Sequence, residues 1–283
     1  MAGRLVICPT PIGNLGDMTL RAIEELRGAD AVCAEDTRVT GKLLAHFGIE
    51  KRLERLDEAA ITRQAGRIAE RIAAGETVAF CSDAGMPGVS DPGARLIEAV
   101  RREGGRIDVL PGASAAVTAY VASGFNNPRF FFGGFFPRKD SERRETLRAL
   151  SSLDAVLMFY ESPRRIASAL AVVADELPQR EVAVCRELTK VHEEVRLASA
   201  GEVRDEFARR DEEGGVKGEI VLVVGPPTRA EEEGRRADAS ASAAERAAEL
   251  VARSELTRKE IVKVLRDEFD IARNEAYDLV MKA

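Results

Sequence analysis

The stretch from Ser82 to Gly93, which reads SDAGMPGVSDPG, contains residue types that can hold a small ligand against the backbone. Its three glycines allow conformations and close approaches that a side chain would block, and its two prolines stiffen the path between them. The carboxylates of Asp83 and Asp91 can accept hydrogen bonds from hydroxyl or amino groups. We interpret this stretch as a cofactor-binding loop. The alternative is a long structural turn in which the aspartates cap their own backbone, which suits Asp91 better than Asp83 because a helix-like segment follows Asp91.

Charged residues also follow several short apolar runs elsewhere in the chain. These charged segments are Glu35 to Arg38, Glu161 to Arg165 and Arg186 to Lys190. One such cluster is commonplace, but several suggest that a polar reacting group is handled between domains. Asp36 and Arg38 could equally be a structural pair that holds their own turn.

The elements that position these residues alternate between strands and helices. Leu5 to Cys8 is the first predicted strand, a helix begins near Thr19, and the run Thr77 to Cys81 leads into the glycine-rich stretch. The alternation predicts a parallel sheet, and ligands of such sheets bind beyond the carboxyl ends of the strands. The loop after the first strand lacks the glycine patterns of dinucleotide-binding and P-loop proteins, so both classes are disfavoured.

Changes in pattern predict four segments. Residues 1–113 form an N-terminal α/β domain with the parallel sheet, and residues 114–227 form a second α/β domain. Residues 228–242 are polar without an apolar period, which is typical of a linker. Residues 243–283 resume helical patterning, with capping-box spacing at Thr257, and predict a helix-turn-helix-like tail.

Composition restricts the class of protein. With 283 residues, 45% of them hydrophobic, a net charge of −6 and mostly short apolar runs, the chain is predicted to be a cytoplasmic globular protein of about two domains. Its four cysteines form no CxxC pair and only two histidines are present, so no metal site is predicted.

The region from Phe125 to Arg165 is first aromatic and then basic. Six of the eleven phenylalanines lie between Phe125 and Phe136, and four or five of these rings are expected in the core. From Arg129 to Arg165 there are eight Lys or Arg against five Asp or Glu, a local charge of +3. This is a candidate surface for a phosphate backbone. The alternative, nearly as good for Arg143 to Arg148, is a solvated helix with i,i+4 ion pairs.

Eight motifs occur in a fixed order along the chain. They are TPIGNLGD (Thr10 to Asp17), AEDTR (Ala34 to Arg38), SDAGMPGVSDPG, PGASAA (Pro111 to Ala116), GFFPRK (Gly134 to Lys139), FYESPRR (Phe159 to Arg165), RELTK (Arg186 to Lys190) and KGEIVLVV (Lys217 to Val224). The ordered set resembles the tetrapyrrole-methylase superfamily of S-adenosylmethionine-dependent methyltransferases. The similarity extends from about Leu5 to Pro226, and the helical tail looks like that of one branch. Eight motifs in order are far more specific than any one of them.

The resemblance implies a two-domain α/β enzyme of the class III methyltransferase fold, usually a homodimer, with S-adenosylmethionine held in the cleft between its domains. The branch it most resembles methylates the ribose 2′-hydroxyl of a cytidine in small-subunit (16S) ribosomal RNA. Ribosomal RNA is therefore the implied partner, and no membrane is implied. Carried over by position, the cofactor-binding residues are Ile12, Asp83, Gly85, Met86, Ser114, Ala115, Tyr160, Leu188, Gly218 and Glu219.

A ribose hydroxyl that attacks a methyl group must also lose its proton. The candidates for accepting this proton are Glu161, Glu187 and Lys190, and the sequence does not choose between a carboxylate and a lysine of depressed pKa. The candidates for holding RNA phosphates are Arg38, Arg138 and Lys139.

One departure and two alternatives accompany this interpretation. Members of the branch often carry a His-rich stretch after the third strand, where this chain reads LDEAAI from Leu56 to Ile61, so a histidine base is not present there. The first alternative keeps the cofactor but methylates a corrinoid or porphyrin carbon, although the tail, GFFPRK and FYESPRR are foreign to that branch. The second is a non-catalytic ribosome-assembly factor that binds the subunit through its tail and basic face.

Overall fold

The first five strands are short and pair into one parallel sheet. They are β1 (Arg4–Ile7), β2 (Ala31–Ala34), β3 (Leu53–Arg55), β4 (Thr77–Cys81) and β5 (Arg106–Val109). In the computed structural model, which describes residues 3–253, 255–269 and 271–283, their order is β3-β2-β4-β1-β5. The three central strands are apolar and almost entirely buried, as parallel strands covered on both faces must be. The predicted α/β class with a parallel sheet is confirmed.

Helices alternate with these strands, and side-chain caps mark where they begin. The helices are α1 (Leu20–Gly28), α2 (Thr37–His46), α3 (Glu58–Ala73) and α4 (Gly93–Arg102). Thr19 accepts a hydrogen bond from the Ala22 amide at 3.1 Å, which confirms the predicted start of α1. Asp57 accepts one from the Ala60 amide at 2.8 Å. Such bonds satisfy amides that have no partner within the helix. The segment Leu56 to Ile61, which has no histidine, therefore contains the start of a helix here.

The second sheet is mixed. Its strands are β6 (Phe130–Phe135), β7 (Val156–Glu161), β8 (Glu181–Arg186), β9 (Glu194–Ser199) and β10 (Ile220–Val224), in the order β6-β7-β10-β8-β9. Only β6 and β7 pair in parallel, and the other three pairs are antiparallel. The accompanying helices are α5 (Ala115–Ser123), α6 (Asp140–Leu150), α7 (Ile166–Glu176) and α8 (Ala200–Glu212).

A bulge interrupts the edge strand β6. The register with β7 shifts between Phe132 and Phe135, so the rings of both residues contact the ring of Tyr160, at centroid distances of 4.8 and 5.5 Å. Glycine is required at the bulge because Gly134 has φ of 69° and a Cβ on Gly133 would lie 2.4 Å from a neighbouring ring carbon. The bulge therefore turns two rings, three residues apart, onto one partner.

Fewer phenylalanine rings are in the core than the sequence predicts. Phe136 is 1% exposed, whereas Phe130, Phe131 and Phe135 are 46%, 36% and 63% exposed. The expectation of four or five core rings is wrong because β6 is an edge strand and has a neighbour on one side only.

The C-terminal region is helical throughout most of its described length. It comprises α9 (Arg229–Arg253), α10 (Arg258–Phe269) and α11 (Arg273–Lys282). Ser151–Leu153 and Pro227–Ala283 form a compact unit separate from the unit that contains both sheets, Met1–Leu150 with Asp154–Pro226. The core of the smaller unit includes Leu250, Ile261 and Leu265.

The segment 228–242, predicted as a linker, lies almost entirely in α9. It has no apolar stripe, but it is rich in alanine, glutamate and arginine, which have high helix propensity. Thr228 and Glu231 form reciprocal capping bonds at the start of the helix, and Arg229 pairs with Glu233 one turn along it. Local propensity and capping therefore form a helix that hydrophobic periodicity does not reveal. None of the described helices combines the length and apolar character that a membrane span needs.

We predict opposite effects on stability for two glycine substitutions. A Cβ at Gly93, the first residue of α4, would lie 2.9 Å from the Gly88 nitrogen and from a carbon of the buried Phe80 ring. Gly93→Ala should therefore lower the free energy of unfolding by about 1–3 kcal/mol. Gly66 is in the middle of α3 with no atom within 4 Å of the added Cβ, and Gly66→Ala should raise it by about 0.5–1 kcal/mol. Urea unfolding measures both changes, and equal midpoints for the two variants would contradict the packing argument.

Candidate active site

One cavity of about 420 Å³ collects residues from all eight ordered motifs. The first sheet contributes strand-end residues such as Ile12 and the glycine-rich loop, and the second sheet contributes Tyr160, Leu188 and the turn at Gly218. The volume is in the range that holds a small-molecule ligand. All ten residues predicted to bind a cofactor line this cavity; their role in binding stays a prediction. They are Ile12, Asp83, Gly85, Met86, Ser114, Ala115, Tyr160, Leu188, Gly218 and Glu219.

Two backbone hydrogen bonds join the glycine-rich loop to the loop after β1. Gly85 donates to the Thr10 carbonyl and Thr10 donates to the Gly85 carbonyl, each at 3.0 Å. Gly85 has φ of 76°, and a Cβ there would lie 3.3 Å from the Ile12 side chain. Glycine is needed because the two loops approach closely while the backbone is in the left-handed region. The predicted ligand-binding loop is thus joined to the loop after β1 by main-chain contacts.

The two aspartates of this loop have different partners. Oδ1 of Asp91 accepts hydrogen bonds from the Gly88 and Gly93 amides, both at 2.8 Å, so Asp91 has the structural role given as the alternative. Oδ1 of Asp83 accepts one from the Asp36 amide at 3.0 Å. Asp83 therefore connects the loops that follow β4 and β2, and it also lines the cavity.

Glu35 lines the cavity; it belongs to the charged segment Glu35 to Arg38, but it is not among the predicted catalytic or cofactor-binding residues. Burial raises the pKa of its carboxyl above the ordinary value, and repulsion from Asp83 and Asp91 adds to the increase. Within the described part of the chain, no lysine or arginine forms an ion pair with Glu35. Its position directly after β2, at the carboxyl edge of a parallel sheet, is the signal that could have identified it.

Glu161 lines the cavity, but both of its carboxylate oxygens are engaged within the protein. Its side chain has no exposed surface. Oε1 accepts from Arg165 at 2.5 Å and from the Ser162 amide at 2.6 Å, and Oε2 accepts from Arg143 at 3.1 Å. Two guanidinium groups and an amide leave little room for a substrate hydroxyl. The arrangement disfavours Glu161 as a proton acceptor.

Glu187 and Lys190 form a bridge that also includes Glu219. The Lys190 ammonium donates to Glu187 and to Glu219, each at 2.8 Å. The bond from Lys190 and a backbone amide hold the pKa of Glu187 below its usual value. Burial lowers the pKa of Lys190, but its two carboxylate partners outweigh burial and raise the pKa overall. These contacts disfavour the alternative of a lysine with a depressed pKa, and neither Glu187 nor Lys190 is among the residues that line the cavity.

Left-handed backbone conformations occur at three non-glycine residues of the described chain, all near the cavity. Ser90, Glu187 and Thr189 have φ of 70°, 50° and 65°. Such conformations cost about 1–3 kcal/mol each and are retained where the surroundings impose them. Thr189 is held by its side chain, which accepts a hydrogen bond from the Asn14 amide at 3.1 Å. The loop after β8 is thereby fixed against the loop after β1.

The residues predicted to hold RNA phosphates lie at the surface and not on the cavity lining. The side chain of Arg38 is 85% exposed and pairs with Asp36 at 2.5 Å, so the structural pair given as the alternative is present. Lys139 is 76% exposed and pairs with Glu142, and Arg138 is exposed. All three are accessible to a large polyanion, and their contact with RNA stays a prediction.

Solved structures share this architecture. A uroporphyrin-III-C-methyltransferase from Thermus thermophilus is 22% identical with a TM-score of 0.55, covering 79% of this chain and 94% of that one. A diphthine synthase is 18% identical with a TM-score of 0.60, covering 78% and 89%. At these identities the comparison shows the shared fold, which confirms the predicted class III methyltransferase architecture.

Sequence relatives are closer. The ribosomal RNA small subunit methyltransferase I of Bacillus subtilis (strain 168) is 43% identical over 222 residues, which are 78% of this chain and 75% of the relative. The protein of the same name from Escherichia coli O157:H7 is 42% identical over 253 residues, 88% and 86% of the two chains. The family profile described as Tetrapyrrole (Corrin/Porphyrin) Methylases matches residues 4–204. The chain therefore belongs to the tetrapyrrole methylase family.

Proposed function

We propose that this chain transfers a methyl group from S-adenosylmethionine to the 2′-hydroxyl of a cytidine ribose in small-subunit (16S) ribosomal RNA. The observation that supports this most is that each of the eight ordered motifs contributes at least one residue to a single cavity. Relatives more than 40% identical carry the name ribosomal RNA small subunit methyltransferase I. In this proposal residues 1–113 and 114–227 act as two domains with the cofactor between them, and the enzyme works in the cytoplasm without a membrane partner.

The cavity lining suits S-adenosylmethionine in charge and in polarity. The cofactor carries positive charge on its sulfonium and amino groups, and the lining includes carboxylates of Glu35, Asp83 and Glu219. Its adenine is flat and largely apolar, and the Leu188 and Tyr160 side chains offer a matching surface. When bound, the cofactor supplies an electrophilic methyl group on sulfur. The chain's own task is to orient the acceptor hydroxyl, exclude water and accept the hydroxyl proton.

The geometry favours Glu35 as that proton acceptor over the three candidates predicted from sequence. Glu161, Glu187 and Lys190 each use their charge in ion pairs within the protein. Glu35 lines the cavity, and its raised pKa brings a carboxylate closer to the range in which it can accept a proton from a hydroxyl.

Methyl transfer can be tested directly. The purified protein, labelled S-adenosylmethionine and 30S particles from a bacterial strain lacking its own homologue should yield ribose-methylated cytidine in 16S RNA. Absence of label in ribose-modified nucleotides would reject the proposal. In a separate assay with a precorrin as the acceptor, transfer of label to the precorrin would establish the corrinoid alternative. No heat on calorimetric titration with S-adenosylmethionine would support the non-catalytic assembly factor.

Replacement of Glu35 should alter both rate and pH dependence. In the wild type, kcat should rise with pH as Glu35 loses its proton, at a pKa above the ordinary value of about 4.3. Glu35→Gln should lower kcat by about 10²- to 10⁴-fold and remove this rise of kcat with pH. The charged groups that act on Glu35 are Asp83, Asp91 and Asp57, and they remain in the variant.

Glu24→Gln, a change of the same type at an exposed position of α1, is the control and should match the wild type. A Glu35→Gln enzyme with unchanged kcat and an unchanged pH limb would eliminate Glu35 as the base.

An exposed apolar surface supports self-association. Val117 and Val121, one turn apart on α5, are 47% and 70% exposed, and Phe130 and Phe131 at the start of β6 are 46% and 36% exposed. The rings of Tyr120 and Phe130, 5.0 Å apart, connect the helix to the strand. Contiguous exposed apolar side chains of this kind mark protein interfaces.

We predict a homodimer through this surface. Light scattering should give twice the chain mass for the wild type and a single chain mass for Val121→Glu. Leu20→Glu, at an apolar residue of α1 that is 80% exposed, should leave the dimer intact. A monomeric wild type at micromolar concentration would refute the proposed dimer.

A further inference from the structure

Two arginines share the buried carboxylate of Glu161, but they are not equivalent. The side chain of Arg143, on α6, is 1% exposed, and that of Arg165, at the start of α7, is 27% exposed. Both guanidinium groups contact Glu161, one on each carboxylate oxygen. The difference in exposure indicates that one arginine is internal and the other is directed toward the surface.

Arg143 has its donors satisfied within the protein. Its Nε donates to the Pro137 carbonyl at 2.7 Å, and NH1 donates to Asp140 and Ser168, both at 3.0 Å. NH2 donates to Glu161 at 3.1 Å. A buried charge with partners of this kind fixes the groups around it. Arg143 is therefore a structural cation whose effect is to hold Glu161 in place.

Arg165 has capacity left for another ligand. NH2 donates to Glu161, whereas Nε is buried without a hydrogen-bond partner among the described residues. Because Nε has no accessible surface, an incoming ligand would meet the exposed part of the side chain, which is 27% of its surface. The guanidinium presents several donors in one plane, which matches the oxygens of a phosphate.

The surroundings of Arg165 indicate where such a ligand would lie. Glu161, Ser162 and Pro163, just before it in the chain, line the cavity. Arg164 is exposed beside it. A ligand on Arg165 would thus bind at the rim of the cavity, within a basic part of an acidic protein.

We propose that Arg165 binds a phosphodiester group of the acceptor RNA at the rim of the cavity, and that Glu161 and Arg143 hold Arg165 in the orientation this requires. The inference rests on the proposed function, because the acceptor is taken to be RNA. It gives Glu161 a positioning role in place of the predicted role in proton transfer. Because the carboxylate is itself fixed by Arg143 and the Ser162 amide, the guanidinium loses little freedom when the phosphate binds.

Steady-state methylation of 30S particles at several salt concentrations tests this site. Arg165→Ala should raise KM for the particles about 10- to 100-fold, with a smaller change in kcat. The slope of log KM against log salt should decrease by about one, the value for one lost phosphate contact. Arg165→Lys should keep the salt slope and recover part of the affinity, because a lysine supplies the charge but not the planar pair of donors.

Arg102→Ala is the matched control. It removes one positive charge from an exposed residue of α4 that does not line the cavity, and it should leave KM and the salt slope unchanged. Calorimetric titration with S-adenosylmethionine should show that Arg165→Ala still binds the cofactor, which separates a lost RNA contact from a lost fold.

Glu161→Gln distinguishes positioning from proton transfer. A positioning role predicts a raised KM, an unchanged pH profile of kcat, and little further loss when the change is combined with Arg165→Ala. A collapse of kcat together with its pH limb would instead make Glu161 the base and overturn the inference. If the wild type is active and Arg165→Ala has the same KM and salt slope as Arg102→Ala, the Arg165 site alone is rejected. A wild type that is inactive on 30S particles would instead reject the proposed function on which the site rests.

Discussion

The exchange of two main-chain hydrogen bonds between Thr10 and Gly85 is the contact on which the cavity depends. It joins loops that are more than seventy residues apart in the chain but follow adjacent parallel strands. Parallel strands end at the same edge of a sheet, so their loops are neighbours whatever their separation in sequence. For the same reason Asp83, in the loop after β4, lies beside the loop after β2 and accepts a hydrogen bond from the Asp36 amide. The first sheet thereby supplies one wall of the cavity as a connected unit.

The cavity lining carries negative charge from its carboxylates, and arginines place positive charge at its rim. Inside, Glu35 and Asp83 lie close enough for repulsion to contribute to the raised pKa of Glu35. At the rim, Arg165 and the exposed Arg164 adjoin Glu161, which also pairs with the buried Arg143. Arg143 pairs with Asp140 as well, so three arginines face two carboxylates and the local charge is +1. A cationic cofactor and a polyanionic acceptor would each meet the complementary sign. Because the two regions are separate, the protein can bind the cofactor and the acceptor at different places, and its own opposite charges do not neutralise each other.

Sequence reasoning succeeded where a residue's position follows from topology. Strand ends and glycine-rich turns could be read from short apolar runs, and the ten residues assigned to a cofactor do meet at one cavity. It failed where the outcome depends on partners distant in sequence. The strand-end position of Glu161 favours a base, but its pairing with Arg143 of α6 leaves no trace in the local pattern. The pattern of segment 228–242 predicts a linker because its helix relies on propensity and caps instead of an apolar stripe.

The bulge in β6 gives the aromatic wall of the cavity an unusual origin. Phe135 lines the cavity and Phe136, its immediate neighbour, is in the core, and the two are the same residue type. Slippage of this strand by one position would move one ring into the place of the other and bring Gly134 or Pro137 into the place it leaves. The Gly133-Gly134 pair opposes it, since only there can the chain make the turn. Which ring faces the cavity and which enters the core therefore depends on two residues that have no side chain.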